Sequence, residues 1–137
     1  MMKTGKAGKT GRAGKTQEGQ RVAVAKGRFL PVSPRKVRAV VRLIKGMEVP
    51  NAQSVLEHLP RGACGPIAKV LGSAVANATR DGSWSKEQLV ISRVLTDEGP
   101  GLRRFRAAPM GKAGMFRKKM CHLTIELDAK KEGTHGA

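Results

Sequence analysis

Residues 98–127 read EGPGLRRFRAAPMGKAGMFRKKMCHLTIEL, and no acidic residue lies between Glu98 and Glu126. Seven cations occupy that gap: Arg103, Arg104, Arg106, Lys112, Arg117, Lys118 and Lys119. The two halves, Leu102 to Ala107 and Met115 to Leu127, have strand-like composition. Between them lies the turn chemistry of Pro109-Met110-Gly111-Lys112-Ala113-Gly114, so the segment predicts a hairpin with an apolar and glycine tip. Arms of about a dozen residues would each reach roughly 40 Å at about 3.3 Å per residue. An ordinary edge hairpin with this many cations would need cross-strand Asp or Glu partners, and the segment supplies none. Two strands alone are marginal in water, and these repel one another, so rigidity is expected only inside an anionic surrounding.

Outward from the hairpin, the pattern alternates between strand and helix. Leu89, Val90, Ile91, Val94 and Leu95 predict a strand that breaks or bends at Asp97-Glu98-Gly99-Pro100. The alternation Leu123-Thr124-Ile125-Glu126-Leu127 predicts the last strand, with His122 ahead of it in a structural role. Near the start, Val22, Val24, Phe29, Leu30 and Val32 predict a first strand ending around Pro31 to Pro34. Ser33-Pro34 then reads as an N-cap followed by proline at the first helical position, with the helix running to about Lys45 and closing at Gly46. Val37, Val40, Val41 and Ile44 form its apolar stripe. Arg35, Arg38, Arg42 and Lys45 repeat at the same spacing on a neighbouring face, and no acid lies between Ser33 and Lys45. A cation row without one carboxylate is read as a phosphate-contacting surface rather than a merely solvated face. A short second helix is predicted from Pro50 to His58, stopped by Pro60. The third, carried by Ile67, Val70, Leu71, Ala74, Val75 and Ala78, ends at Asp81-Gly82 and is the core helix.

Composition narrows the function classes. The chain has 137 residues, with 27 Lys+Arg against 10 Asp+Glu, a formal net charge of +17. Charge of that density repels itself in a compact monomer unless a polyanion neutralises it, which puts nucleic acid first and an anionic membrane surface second. One Trp, three Phe and no Tyr leave a core of small aliphatic residues and disfavour an aromatic-lined enzyme cleft. No secretory leader pattern follows Met1, and no stretch approaches the roughly 20 apolar residues of a membrane span, so a soluble intracellular protein is expected. Cys64 and Cys121 are too few for a disulfide framework and read as idle thiols. His58 and His122 have no partner at ligand spacing, so neither a metal nor a cofactor is expected.

Residues 1–21 contain no Val, Ile, Leu or Phe and repeat Thr4-Gly5-Lys6-Ala7-Gly8-Lys9 as Thr10-Gly11-Arg12-Ala13-Gly14-Lys15. They predict a disordered basic tail. The Gly-Lys-Thr strings within it fail as a phosphate-binding loop, because the position five residues before each Gly-Lys pair holds Lys3 or Lys9 instead of glycine. The expected organisation is this tail, a single α+β domain over 22–128 with the hairpin protruding at about 101–120, and a polar tail over 129–137.

Three stretches, Ser33-Pro34-Arg35-Lys36-Val37-Arg38, Ser73-Ala74-Val75-Ala76-Asn77-Ala78 and Asp97-Glu98-Gly99-Pro100 followed by His122-Leu123-Thr124-Ile125, resemble in order and spacing the large-subunit ribosomal protein family conventionally numbered twenty-two. The resemblance covers about residues 22–128 and looks bacterial, since the insertions of archaeal and eukaryotic relatives are missing. It implies three helices packed on a three-stranded antiparallel sheet and an extended hairpin running between ribosomal RNA segments to the wall of the nascent-peptide exit tunnel. It implies no enzyme activity. Carried onto this chain, the RNA-facing role falls on Arg35, Lys36 and Arg38, and on Arg103, Arg104, Arg106, Lys112, Arg117, Lys118 and Lys119. The tunnel-facing tip is then Ala107, Ala108, Pro109, Met110, Gly111, Lys112, Ala113 and Gly114. The partners implied are large-subunit ribosomal RNA, neighbouring large-subunit proteins and the nascent peptide, in the cytoplasmic ribosome, with no membrane and no homo-oligomer. Two features depart from the family pattern: the repeated tail, and Ala108-Pro109-Met110 where relatives often carry a more basic stretch. A free nucleic-acid regulator or nucleoid-type protein would need a recognition helix or an architectural dimer. An RNA-processing enzyme using His58 or His122 would need a second acid-base group beside the histidine.

Overall fold

The computed structural model describes residues 21–80 and 82–130. The repeated basic segment, residues 1–20, and residues 131–137 lie outside the described part. The elements run β1 (Arg21–Leu30), α1 (Pro34–Ile44), α2 (Val49–His58), α3 (Cys64–Thr79), β2 (Leu89–Glu98), β3 (Leu102–Ala107), β4 (Ala113–Lys118) and β5 (Cys121–Ala129). This is the expected α+β architecture, with one antiparallel sheet in the order β1-β5-β2 and a separate two-stranded ribbon, β3-β4.

Local chemistry sets the helix ends. Ser33 is extended and Pro34 occupies the first turn of α1, where a missing N–H costs nothing. The Ser33 hydroxyl makes no capping bond; its carbonyl instead accepts from the N–H groups of Lys36 (3.1 Å) and Val37 (3.2 Å). Beyond α1, Gly46 takes φ +82°, the left-handed conformation that lets the chain leave the helix. α3 starts at Cys64, one turn before the apolar periodicity becomes visible, because Pro66 is tolerated in a first turn.

β5 is the centre of the molecule. Cys121, Leu123, Ile125 and Leu127 are buried on its helix-facing side, while His122, Thr124, Glu126 and Asp128 alternate onto the other face. The helices bring Val37, Val40, Ile44, Ile67, Leu71 and Ala74 onto the same core. Fully burying one such branched side chain is worth about 1.5–3 kcal/mol, so this aliphatic cluster dominates the stability of the body.

Each edge of the sheet meets another element over part of its length. Gly46 N–H donates to Ile91 O (2.9 Å) and Ile91 N–H to Met47 O (3.0 Å), so the α1–α2 connection runs along β2 almost as a fourth strand. On the other side Asn77 Nδ2 of α3 donates to Val24 O of β1 (3.2 Å). Each contact uses backbone groups that an open edge would present to another chain.

Three expectations about boundaries change. Arg21, placed in the tail by its sequence neighbourhood, opens β1 opposite Asp128 and forms an ion pair with Glu126 at 3.2 Å. Ala129, placed in the C-terminal tail, pairs with Leu89, and Lys130 follows with an ion pair to Glu48. The second hairpin arm is not one strand from Met115 to Leu127 but two, β4 and β5. β4 leaves the ladder at Lys119-Met120, where Gly99 N–H donates to Met120 O (2.8 Å) and a Cβ on Gly99 would stand 3.2 Å from that carbonyl. The free ribbon therefore has six residues per strand, roughly 20 Å instead of 40 Å.

Gly27 has no room for a side chain. A Cβ there would lie 2.6 Å from Val70 Cγ2, on a β-branched residue with little rotamer freedom inside α3. Gly27→Ala is expected to lower stability by about 1–3 kcal/mol by pushing α3 off β1. The midpoint of urea unfolding measures it; an unchanged midpoint would mean that the helix slides without loss.

Candidate nucleic-acid interface

The ribbon's register assigns its side chains to two faces. Leu102 opposes Lys118, Arg104 opposes Phe116 and Arg106 opposes Gly114 on one face; Arg103 opposes Arg117, Phe105 opposes Met115 and Ala107 opposes Ala113 on the other. Arg103 and Arg117 are thus like charges directly across the strands, a destabilising arrangement. The Arg106 guanidinium lies 5.1 Å from the Phe116 ring centroid, which stiffens one arginine against the ribbon without neutralising it. Phe105 and Met115 are 74% and 55% exposed, so no body element covers their face.

The tip closes through Ala108 N–H donating to Lys112 O (2.8 Å). Met110 (φ +62°) and Gly111 (φ +69°) are both left-handed, and Met110 is 95% exposed. A left-handed residue other than glycine costs roughly 1–2 kcal/mol. Exposure gives the Met110 side chain no burial to offset that cost. Lys112 is the tip's single cation, as its sequence suggests.

On α1 the stripe Val37, Val40, Val41 and Ile44 is buried, which turns Arg35, Arg38, Arg42 and Lys45 outward together. At about 100° per residue, these four fall within roughly a quarter of the helix circumference. Lys36 is exposed on the opposite flank, beside exposed Leu43. Arg38 also serves the fold, because its guanidinium donates to Thr96 O of β2 at 3.2 Å and fastens the helix to the sheet. Burial pushes the Cys121 thiol up, and the positive Arg38 partly opposes that shift. Both cysteines are buried and unpaired.

Among the described residues the ion pairs are Arg21–Glu126 and Lys130–Glu48, and neither uses a cation of α1 or of the ribbon. No three His, Cys, Asp or Glu groups converge among these residues as metal ligands do. Among the same residues, no helix is long and apolar enough to cross a membrane. His58 Nδ1 contacts Ser54 O of its own helix at 2.7 Å, and His122 Nδ1 accepts the Phe29 N–H at 3.1 Å, so both rings serve local structure. Sequence reasoning passed over Lys26 and Arg28, exposed cations of β1. Their signal, two basic residues flanking a glycine in a strand, was too brief to stand out.

Comparison with known proteins fits this arrangement. Residues 25–128 match the family described as Ribosomal protein L22p/L17e. The chain belongs to this family. It is 47% identical over 111 residues to the large ribosomal subunit protein uL22 of Halothermothrix orenii, a match covering 81% of this chain and 96% of the relative. The proteins of the same name from Desulfitobacterium hafniense and Desulforamulus reducens are 43% and 40% identical over the same share of this chain, covering 97% and 98% of their own lengths. As a family member the chain is a structural component of the large subunit of the cytoplasmic ribosome, and it is not an enzyme.

Arg103 and Arg117 oppose each other across the strands, so the free ribbon would do better without one of these charges. Arg117→Glu, which places a carboxylate across from Arg103, is expected to raise the strand population of β3 and β4 in the free protein while weakening RNA binding several-fold. Secondary Cα shifts and filter binding measure the two. A drop in strand population would mean that Arg117 supports the ribbon in a way the register does not indicate.

Proposed function

We propose that the protein is anchored in the large subunit by ribosomal RNA phosphates that surround two acid-free cation surfaces. One is the outer face of α1, with Arg35, Arg38, Arg42 and Lys45 and with Lys36 on its flank. The other is the stem of the β3–β4 ribbon, with Arg103, Arg104, Arg106, Arg117, Lys118 and Lys119. The observation that carries this reading is the exposure of these cations without an ion pair among the described residues, in a chain of net charge +17. Phosphate and RNA shape are then the main features read, since recognition of single strands ordinarily relies on stacking aromatics, of which this chain has few. Neighbouring ribosomal proteins complete the surroundings.

The tip, residues 107–114, is proposed to approach the wall of the exit tunnel and the nascent peptide. Family resemblance supports that location, and the tip's chemistry supports the division of labour. Small and apolar residues around one lysine allow close backbone approach but add little electrostatic affinity.

Binding to large-subunit rRNA should weaken with salt, log affinity falling by about 0.7–0.9 per phosphate neutralised for each log unit of salt. Reversing Arg35, Arg42 and Lys45 to Glu, which spares the Arg38–Thr96 bond, should weaken binding and flatten that slope while leaving the helical circular dichroism intact. A flat salt response of the unmodified chain would sink the phosphate reading.

Deleting Pro109 to Lys112 lets the ladder close at Arg106–Gly114 through three residues. Occupancy of the protein in purified large subunits should remain near normal while macrolide sensitivity or peptide stalling changes. Collapsed occupancy would make the tip an anchor; unchanged drug response and stalling at full occupancy would remove it from the tunnel wall.

A further inference from the structure

Beside Phe29 the sheet carries a feature that phosphate binding does not explain. A cleft of about 250 Å³ opens on the face away from the helices, lined by Lys26, Arg28, Phe29, Asp97, His122 and Thr124 among others. β1 departs from its ladder between Gly27, opposite Leu123, and Leu30, opposite Cys121, and within that irregularity Phe29 takes φ +55°. A bulky residue in the left-handed region is a backbone outlier. Such strain persists where the surroundings enforce it, and it concentrates at binding sites. Here the ring is 58% exposed, so burial in the core does not compensate.

His122 holds the outlier in place. Its Nδ1 accepts the Phe29 N–H at 3.1 Å, and the two rings meet edge to face with centroids 4.9 Å apart. With Nδ1 acting as acceptor, the neutral imidazole carries its proton on Nε2, a donor. Asp97, the cross-strand partner of His122, is the one anion among the residues lining the cleft. A carboxylate there disfavours a phosphate inside the cleft and accepts from N–H groups, while Lys26 and Arg28 remain for the backbone outside it.

We propose that this cleft takes one unpaired nucleobase of the ribosomal RNA, stacked on the Phe29 ring with its N–H edge toward Asp97. The proposal rests on the RNA-binding reading above and adds to it a single site of base stacking. Stacking is not a charge effect, so its loss should change affinity without changing the number of phosphates neutralised.

The test is salt-dependent binding of the full chain to a full-length large-subunit rRNA transcript. Phe29→Gly removes the ring and suits a left-handed backbone, so thermal stability should be kept or raised while affinity falls roughly 5- to 100-fold with an unchanged salt slope. Phe29→Leu, which keeps apolar volume without a π face, should lose a similar factor, and Phe29→Trp should bind like the unmodified chain. Lys26→Gln and Arg28→Gln should each lower the slope by up to about 0.9. Affinity of Phe29→Gly and Phe29→Leu within about twofold of the unmodified chain overturns the base site and leaves the phosphate reading standing. A loss that comes with a reduced slope also overturns it. Failure of the unmodified chain to bind the transcript overturns both.

Discussion

The structure is organised around unneutralised like charge on a ribbon too thin to have a core. Arg103 faces Arg117 across β3 and β4, more cations follow on both strands, and Phe105 and Met115 are left in solvent. Within those twelve strand residues the backbone ladder and the Arg106–Phe116 contact act against the charge, and two strands alone are marginal in water. What the ribbon has is a continuation: β2 and β5 lead into it directly, and they belong to the body's sheet. The charged element is thus an extension of the most buried part of the fold.

That connection runs through the centre of the body. β5 provides the central row Cys121, Leu123, Ile125 and Leu127, and the same chain, a few residues earlier, ends the charged ribbon at Lys118. Gly99 and the Lys119-Met120 step make the junction, where the ladder changes register and a Cβ on Gly99 would press against the Met120 carbonyl. Three helices cover one face of the sheet, and the α1–α2 connection and Asn77 each bond to one of its edge strands.

Much of this was legible in residue order. Ser33-Pro34 and Gly46 bracket α1, the apolar stripe fixes which side is buried, and the cation row follows from the same spacing. The acid-free run from Arg103 to Lys119 revealed the ribbon because the missing carboxylates are a feature of composition, independent of geometry. Other features were hidden for physical reasons. Strand-like residues continue from Met115 through Leu127, so the break at Lys119-Met120 depends on a backbone contact with Gly99, 21 positions away in sequence. Arg38 looks like its neighbours in sequence, and only the docking of α1 on β2 gives it a structural bond. Phe29 gave no signal of left-handedness, which depends on His122, a residue 93 positions further on.

The central claim is that the body folds by itself and the ribbon becomes rigid only inside an anionic surrounding. Amide hydrogen exchange resolved by residue, on the free protein and on intact large subunits, tests it most directly. In the free protein, the amides of Leu123 to Leu127 should exchange slowly and those of Arg103 to Arg106 and Met115 to Lys118 close to the unprotected rate; in the subunit both groups should be slow. Ribbon amides as protected as those of β5 in the free protein would contradict the account, because the strands would then be holding themselves together against their own charge.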